Sequence, residues 1–178
     1  MPDLTEAITE AYAACPTDVV IFDTLEFRHP SFQDEENNPI GVRVVNDNQD
    51  LQATLEAAAP LNAGEEVTFY KGAFRVVLPA VREGEPAELR IEVSNVTREL
   101  EGYLELAVAS TDPIEATYRP FLSTDTSQPH WTKPAHMQIV KVSSDVFRVT
   151  AVAGHAAFWN KPVPSELYTR SRFPQLVR

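Results

Sequence analysis

One cysteine, four histidines and several paired acids are the residues of this chain whose types carry chemistry elsewhere. Cys15 with His29, His130, His136 or His155 has the makings of a thiol–imidazole pair, in which the ring takes the thiol proton and the thiolate attacks a carbonyl. No local context of such a nucleophile surrounds Cys15, and a lone thiol near a helix end is ordinarily a small buried apolar group. The histidines fit no metal motif: there is no His-Glu-x-x-His and no cysteine pair. His130 and His136 flank Trp131, but imidazoles in such a loop are ordinarily exposed or locally hydrogen-bonded. Glu35-Glu36, Glu65-Glu66 and Glu99 with Glu101 have the residue type of glycosidase carboxylates or of a cation site. Neighbouring charges in loops and on polar helix faces are ordinarily solvated, which is their expected state here. No Gly-x-Ser-x-Gly elbow, phosphate loop or dinucleotide fingerprint occurs, and six glycines leave little scope for backbone cradles. The expectation is a protein that is not an enzyme, with no cofactor and no metal.

The totals narrow the classes further. At 178 residues, with 43% hydrophobic and 23% charged residues, the chain has the composition of a globular protein with a real core. A net charge of -11 opposes nonspecific attraction to nucleic acid or anionic membrane, and Arg170 with Arg172 is too small a basic patch to reverse that. A single cysteine excludes an intramolecular disulfide. No apolar run approaches the length of about 20 residues that a membrane span needs, and no basic-then-apolar leader is visible, so synthesis in a cytoplasm is expected. Fourteen prolines against six glycines suggest connections held by fixed φ angles.

The elements that would position any site are clearest from Glu88 to Leu122. Leu89, Ile91 and Val93 alternate with polar neighbours, as in a strand with one buried face. Asn95 then caps an expected helix whose Leu100, Tyr103, Leu104, Ala107 and Val108 form one apolar stripe, and Pro113 stops it. Ile114, Ala116 and Tyr118 alternate again, so a second strand follows at once. Upstream, Leu4, Ile8, Ala11 and Tyr12 predict a short helix capped by Asp3 and Glu6 and ended by Pro16. A strand is expected over 19–28, buried on both sides at its start and broken by His29-Pro30. Further strands are expected through Val42 to Val45 and Leu51 to Leu55. Val67 to Tyr70 and Phe74 to Leu78 predict a hairpin turning at Lys71-Gly72. Ser123 to Pro134 reads as a long surface excursion, and Met137 to Val142 with Val146 to Ala153 as a hairpin about Ser143-Ser144-Asp145. The sum is an α+β fold, mainly antiparallel β with two or so helices, one of them packed between the strands at 88–94 and 114–119. Residues 1–178 are expected to form a single domain with an extended C-terminal arm over about 156–178. That arm holds Phe158, Trp159, Leu167, Tyr168, Phe173 and Leu176 without regular period, a candidate oligomer interface.

With these elements in place, a resemblance emerges. Leu25-Glu26-Phe27-Arg28-His29-Pro30-Ser31-Phe32, Phe74-Arg75-Val76-Val77-Leu78-Pro79, Leu89 to Val96, Pro113 to Leu122 and Arg172-Phe173-Pro174 resemble the DUF1833 family of tailed-phage and prophage proteins. More distantly, the strand, Ser-Asn and helix segment is similar to the tail-tip hub protein L of lambda-like phages. The iron–sulfur segment of that protein does not carry over, because Cys15 stands alone. The resemblance implies hub-domain-like sheets and a virion protein of a long noncontractile tail, located at the tail tip or baseplate. It implies a homo-oligomer, a trimer first and a hexameric distal-tail ring as the alternative. Other tail-tip, tape-measure and central-fibre proteins would be its neighbours. DNA would pass through the channel without specific binding, and acidic groups lining that channel would keep it from sticking. A receptor- or carbohydrate-binding module stacking sugars on exposed Trp131 and Trp159, and a tail-associated cell-wall hydrolase, are the rival classes.

Overall fold

The computed structural model describes residues 5–14, 16–34, 36–77, 88–94, 102–103, 107, 110, 112–131, 135–145 and 148–154. Helix α1 (Glu6–Ala14) comes first, followed by β1 (Ile21–Gln33), β2 (Pro39–Val45), β3 (Leu51–Thr54), β4 (Glu66–Lys71), β5 (Phe74–Val77), β6 (Glu88–Ser94), β7 (Glu115–Leu122), β8 (Ala135–Asp145) and β9 (Arg148–Gly154). The strands make one sheet in the order β3-β4-β2-β1-β7-β8-β9-β6-β5. Every pairing is antiparallel except β2 with β4, which run parallel over Val44↔Tyr70 and Val45↔Lys71. The fold class is therefore α+β and mainly antiparallel β, as the alternating patterns predict.

This sheet cannot be flat. β4 and β5 stand seven places apart in the strand order yet are joined by Gly72 and Ala73 alone. Seven strand spacings would span about 34 Å, whereas three Cα steps reach at most about 11 Å. The sheet therefore curls until β5 and β6 return towards β2, and a Cβ built on Gly72 would meet the Val44 side chain at 3.8 Å. Inside the curl lies the main core, with Leu25 and Phe27 of β1, Ala116 and Tyr118 of β7, Met137 of β8, Ala151 and Ala153 of β9, Leu89 and Ile91 of β6 and Phe74 of β5. Tyr103 and Ala107 pack against it, Tyr103 edge-on to Phe32 at 5.2 Å between ring centroids. A second core lies on the other face of β1, β2 and β7, where Phe69 and Ala53 of the β3–β4 hairpin meet Val45 and Phe121. The central strands are thus buried on both faces. α1 seats Ile8 and Ala11 against Leu122 beside this second layer, and Thr5, just before it, donates its N–H to the His130 carbonyl at 3.1 Å.

Several local expectations change in this frame. The strands at 67–70 and 74–78 do not form a hairpin: β4 pairs with β3 and β2, whereas β5 pairs with β6. Gly72 donates its N–H to Val45 O at 2.9 Å, so the chain follows β2 before it leaves for the far edge. His29-Pro30 does not break β1, which runs on to Gln33. Pro30 falls where the register with β2 shifts between Arg28 and Gln33, so its missing N–H interrupts no ladder. The stretch expected as a surface excursion is exposed at Ser123, Thr124, Ser127 and Gln128, but it packs down at its end, where His130 and Trp131 are buried. Its polar side chains are spent on turns, with Asp125 accepting from the Ser127 N–H and hydroxyl, while Thr126 O accepts from Thr54 N–H and Trp131 is buried edge-on to Tyr118 at 5.4 Å. The strands flanking the central helix are not neighbours, since β8 and β9 stand between β6 and β7. Of that helix Gly102, Tyr103 and Ala107 are helical, while Asn95 and Leu104 lie outside the described residues. The β8–β9 hairpin forms, but Ser143, Ser144 and Asp145 extend β8, pairing with Thr150, Val149 and Arg148, so they are not its turn; the register shifts between Ile139 and Lys141.

Candidate functional site

Alternation along a doubly buried strand forces one row of β1 onto each face. Leu25 and Phe27 enter the main core, so Thr24, Glu26 and Arg28 point the other way, under the second layer. Glu26 is a direct cross-strand partner of Arg43 on β2, and Arg119 on β7 pairs with Thr24, one step diagonal to Glu26. The charges meet in a chain: Arg43 Nε donates to Glu26 Oε1 at 2.9 Å, and Arg119 Nη1 donates to Glu26 Oε2 at 2.7 Å. Arg119 then grips Glu56 with two parallel bonds, Nε to Oε2 at 2.8 Å and Nη2 to Oε1 at 2.9 Å. The side chains of Glu26 and Arg119 are fully buried.

The loop between β3 and β4 closes this chain of charges from above. Leu55 N–H bonds Glu65 O at 3.0 Å across its neck, and Asn62 and Gly64 adopt positive φ of 54° and 72° to turn it back. Asn62 suits that conformation as an amide side chain and Gly64 as a residue without Cβ. Asn62 Oδ1 accepts from Arg43 Nη2 at 2.7 Å while its Nδ2 donates to Glu65 Oε2 at 2.7 Å. Burial weakens the hold of Arg119 on its proton, but the hydrogen bonds and charges of Glu56 and Glu26 outweigh that and raise its pKa. Two guanidinium groups and two carboxylates are spent on one another. This arrangement clamps the loop to the sheet and offers no free base or nucleophile.

The histidines are likewise occupied. His29 Nδ1 accepts from Ser31 N–H at 3.1 Å and its Nε2 donates to Asp112 O at 3.1 Å. His130 Nε2 donates to Asp125 O at 3.1 Å, and its Nδ1 shares a hydrogen bond with the Thr5 hydroxyl at 3.3 Å. The Ser31 N–H assigns Nδ1 of His29 as an acceptor and so its Nε2 as the donor. Cys15, His155 and the side chain of His136 lie outside the described residues, as do Phe158, Trp159, Leu167, Tyr168, Phe173 and Leu176 of the expected arm. Glu36, Glu65 and Glu66 are exposed, as the solvated reading of the acid pairs expects; Glu35, Glu99 and Glu101 are not described. No group of three or more potential metal ligands occurs among the described residues. Trp131 offers no open stacking face, because it is buried.

One cleft, of about 500 Å³, opens where the covering loop ends, walled by Pro60 and Leu61 of the loop, Pro39 of β2 and Pro113. Arg28 lies at its base and pairs through Nη2 with Glu115 Oε2 at 3.0 Å and Thr117 Oγ1 at 3.3 Å. Its buried Nε has no acceptor among the described residues. The cleft has the form to admit a small acceptor-bearing group; it holds no nucleophile beside that guanidinium.

The charge chain was not singled out from the sequence. Its signal is nonetheless present: Glu26, Arg28, Arg43 and Arg119 occupy strand positions, and Gly41 interrupts a valine-rich strand. A Cβ at Gly41 would stand 2.7 Å from Glu26 Oε1, so the glycine leaves room for the carboxylate.

A family model described as "Domain of unknown function (DUF1833)" matches residues 7–168. No curated protein matches the chain.

Proposed function

The chain belongs to the DUF1833 family, and on that premise we propose that it is a structural virion protein of a long noncontractile phage tail, a tip or hub component that acts by assembling around the tail axis. The observation that supports this reading is a sheet edge left unpaired among the described residues. β5 is an edge strand with no further partner among the described residues, and Tyr70, Val77 and Val140 are 63%, 46% and 73% exposed on strand faces. Edges and apolar side chains of this kind are hazards for a lone protein and natural contacts in a ring. Meanwhile the buried charges are consumed by the clamp over the sheet, which makes a rigid block suited to bearing load. The arm over about 156–178 would add its aromatic groups to the neighbouring copy.

Native mass spectrometry and low-resolution imaging of the purified protein test this directly. A closed trimer is the expected result, and a closed hexamer would assign it to the distal-tail ring instead. A protein that stays monomeric at tens of micromolar and is absent from purified tails overturns the proposal. Among the described residues no helix is long and apolar enough to cross a membrane.

A further inference from the structure

The cover over the sheet ends at Pro60 and Leu61, and the next row of the same face is left as the floor of the cleft. Register sets Arg28 of β1, Glu115 of β7 and Gln138 of β8 side by side in that row. Ile40, Leu61 and four prolines stand among the walls, around a volume of about 500 Å³. Apolar walls about a few convergent polar groups are the make-up of a ligand pocket, and the volume is of the usual size.

The floor has donors to spare. A guanidinium carries N–H groups on all three of its nitrogens. Arg28 Nη2 spends its own on Glu115 Oε2 at 3.0 Å and Thr117 Oγ1 at 3.3 Å. Nε is buried without an acceptor, and Nη1 meets none among the described residues. The Arg28 side chain is only 10% exposed, so little water reaches these groups. Buried donors left unserved are costly, and an acceptor brought in from outside relieves that cost.

The charges of the lining decide which acceptor fits. Glu115 already offsets Arg28, and Asp112 adds a second carboxylate, so the cleft has no net positive charge. An anion would enter against both carboxylates, whereas a neutral carbonyl accepts from the guanidinium without that repulsion. Gln138 offers an amide oxygen to an N–H on the same ligand. We propose that this cleft binds an uncharged amide on an apolar body, the unit of a capped peptide. Its carbonyl accepts from the unserved N–H groups of Arg28, its N–H donates to Gln138, and its apolar part lies between the prolines. The site goes beyond the assembly reading and needs no second copy of the chain.

Nuclear magnetic resonance of the isotope-labelled full-length protein tests it, with N-acetyl-L-leucine methylamide as the probe and thermal melts to verify folding. Saturable binding in the millimolar range is expected, with the Arg28 guanidinium N–H signals among those that shift. N-acetyl-L-leucine, whose free carboxylate meets the acidic lining, is expected to bind about tenfold more weakly. Arg28→Met removes every guanidinium donor and is expected to abolish saturable binding. Gln138→Leu keeps a strand-compatible side chain and is expected to weaken the methylamide severalfold. Equal or tighter binding of the free carboxylate would make this an anion site and overturn the proposal. A wild type without saturable shifts, or shifts confined to residues away from the cleft, would overturn it too. Unchanged binding in Gln138→Leu would do the same, even where Arg28→Met fails to fold.

Discussion

Arg119 and Glu26, on adjacent strands and diagonal to each other, share a 2.7 Å ion pair with both side chains fully withdrawn from water. Neither charge is left alone: Arg43 takes the other oxygen of Glu26, and Glu56 takes the remaining edge of Arg119. Removing one member strands a buried charge, which costs about 3–5 kcal/mol. Glu26→Ala and Arg119→Ala are therefore each expected to lower unfolding stability by that amount in urea titration. The double variant should cost less than their sum, because each residue's removal spares the other's exposure to an empty site.

Gly41 and Glu26 make a second coupled pair. Gly41→Ala places a methyl 2.7 Å from the carboxylate oxygen and is expected to cost about 1–3 kcal/mol by overpacking. In a Glu26→Ala background the same change should be nearly free of that penalty, and the double-mutant cycle from denaturation midpoints measures the difference. An unchanged penalty would mean that the clash is not with Glu26.

Tyr118 donates its hydroxyl to Asp23 Oδ1 at 2.6 Å, and burial first, then the Asp23 charge, raises its pKa above the ordinary 10.0. A raised folded pKa means that its contribution is fully present below pH about 10 and is lost as pH climbs further, because only the unfolded chain then releases the proton. Stability should fall with a slope of up to about 1.4 kcal/mol per pH unit from this group. Melts between pH 9 and 11 are expected to show a shallower alkaline decline for Tyr118→Phe than for wild type. Absorbance titration should show this phenol silent until the protein unfolds.

Trp131 packs edge-on to Tyr118 and is buried. Trp131→Ala is expected to cost about 3–5 kcal/mol, read as a lower melting temperature. A variant that melts like wild type but no longer binds host cells would restore the carbohydrate-stacking role that its burial argues against.

Deleting Trp159 to Arg178 separates two roles of the expected arm. A folded monomer that no longer assembles, seen by circular dichroism and native mass, is the expected outcome. A monomer that unfolds would show instead that Phe173 and its neighbours complete the chain's own core.

Strand periodicity was legible at most of the places where strands form, because each was decided by its own alternation: Leu89, Ile91 and Val93, or Ala116 and Tyr118, need no distant partner to show a buried face. Partner choice was not. Val67 to Tyr70 and Phe74 to Val77 look like a hairpin locally, and only the curl of the sheet sends one to β3 and the other to β6. The polar signature of Ser123 to Gln128 marked exposed chain correctly, but it did not show that the stretch turns inward at its end, where His130 and Trp131 are buried.

The sequence by itself determined an α+β class rich in antiparallel strands, the acidic balance and the family likeness, because composition and period are properties of neighbours along the chain. The tertiary structure decided which strands pair, which side of β1 meets loop and which meets core, and hence that Glu26, Arg43, Glu56 and Arg119 form one clamp. Those four come from four separate segments, and a charge becomes a buried partner only when packing removes the water that would otherwise solvate it.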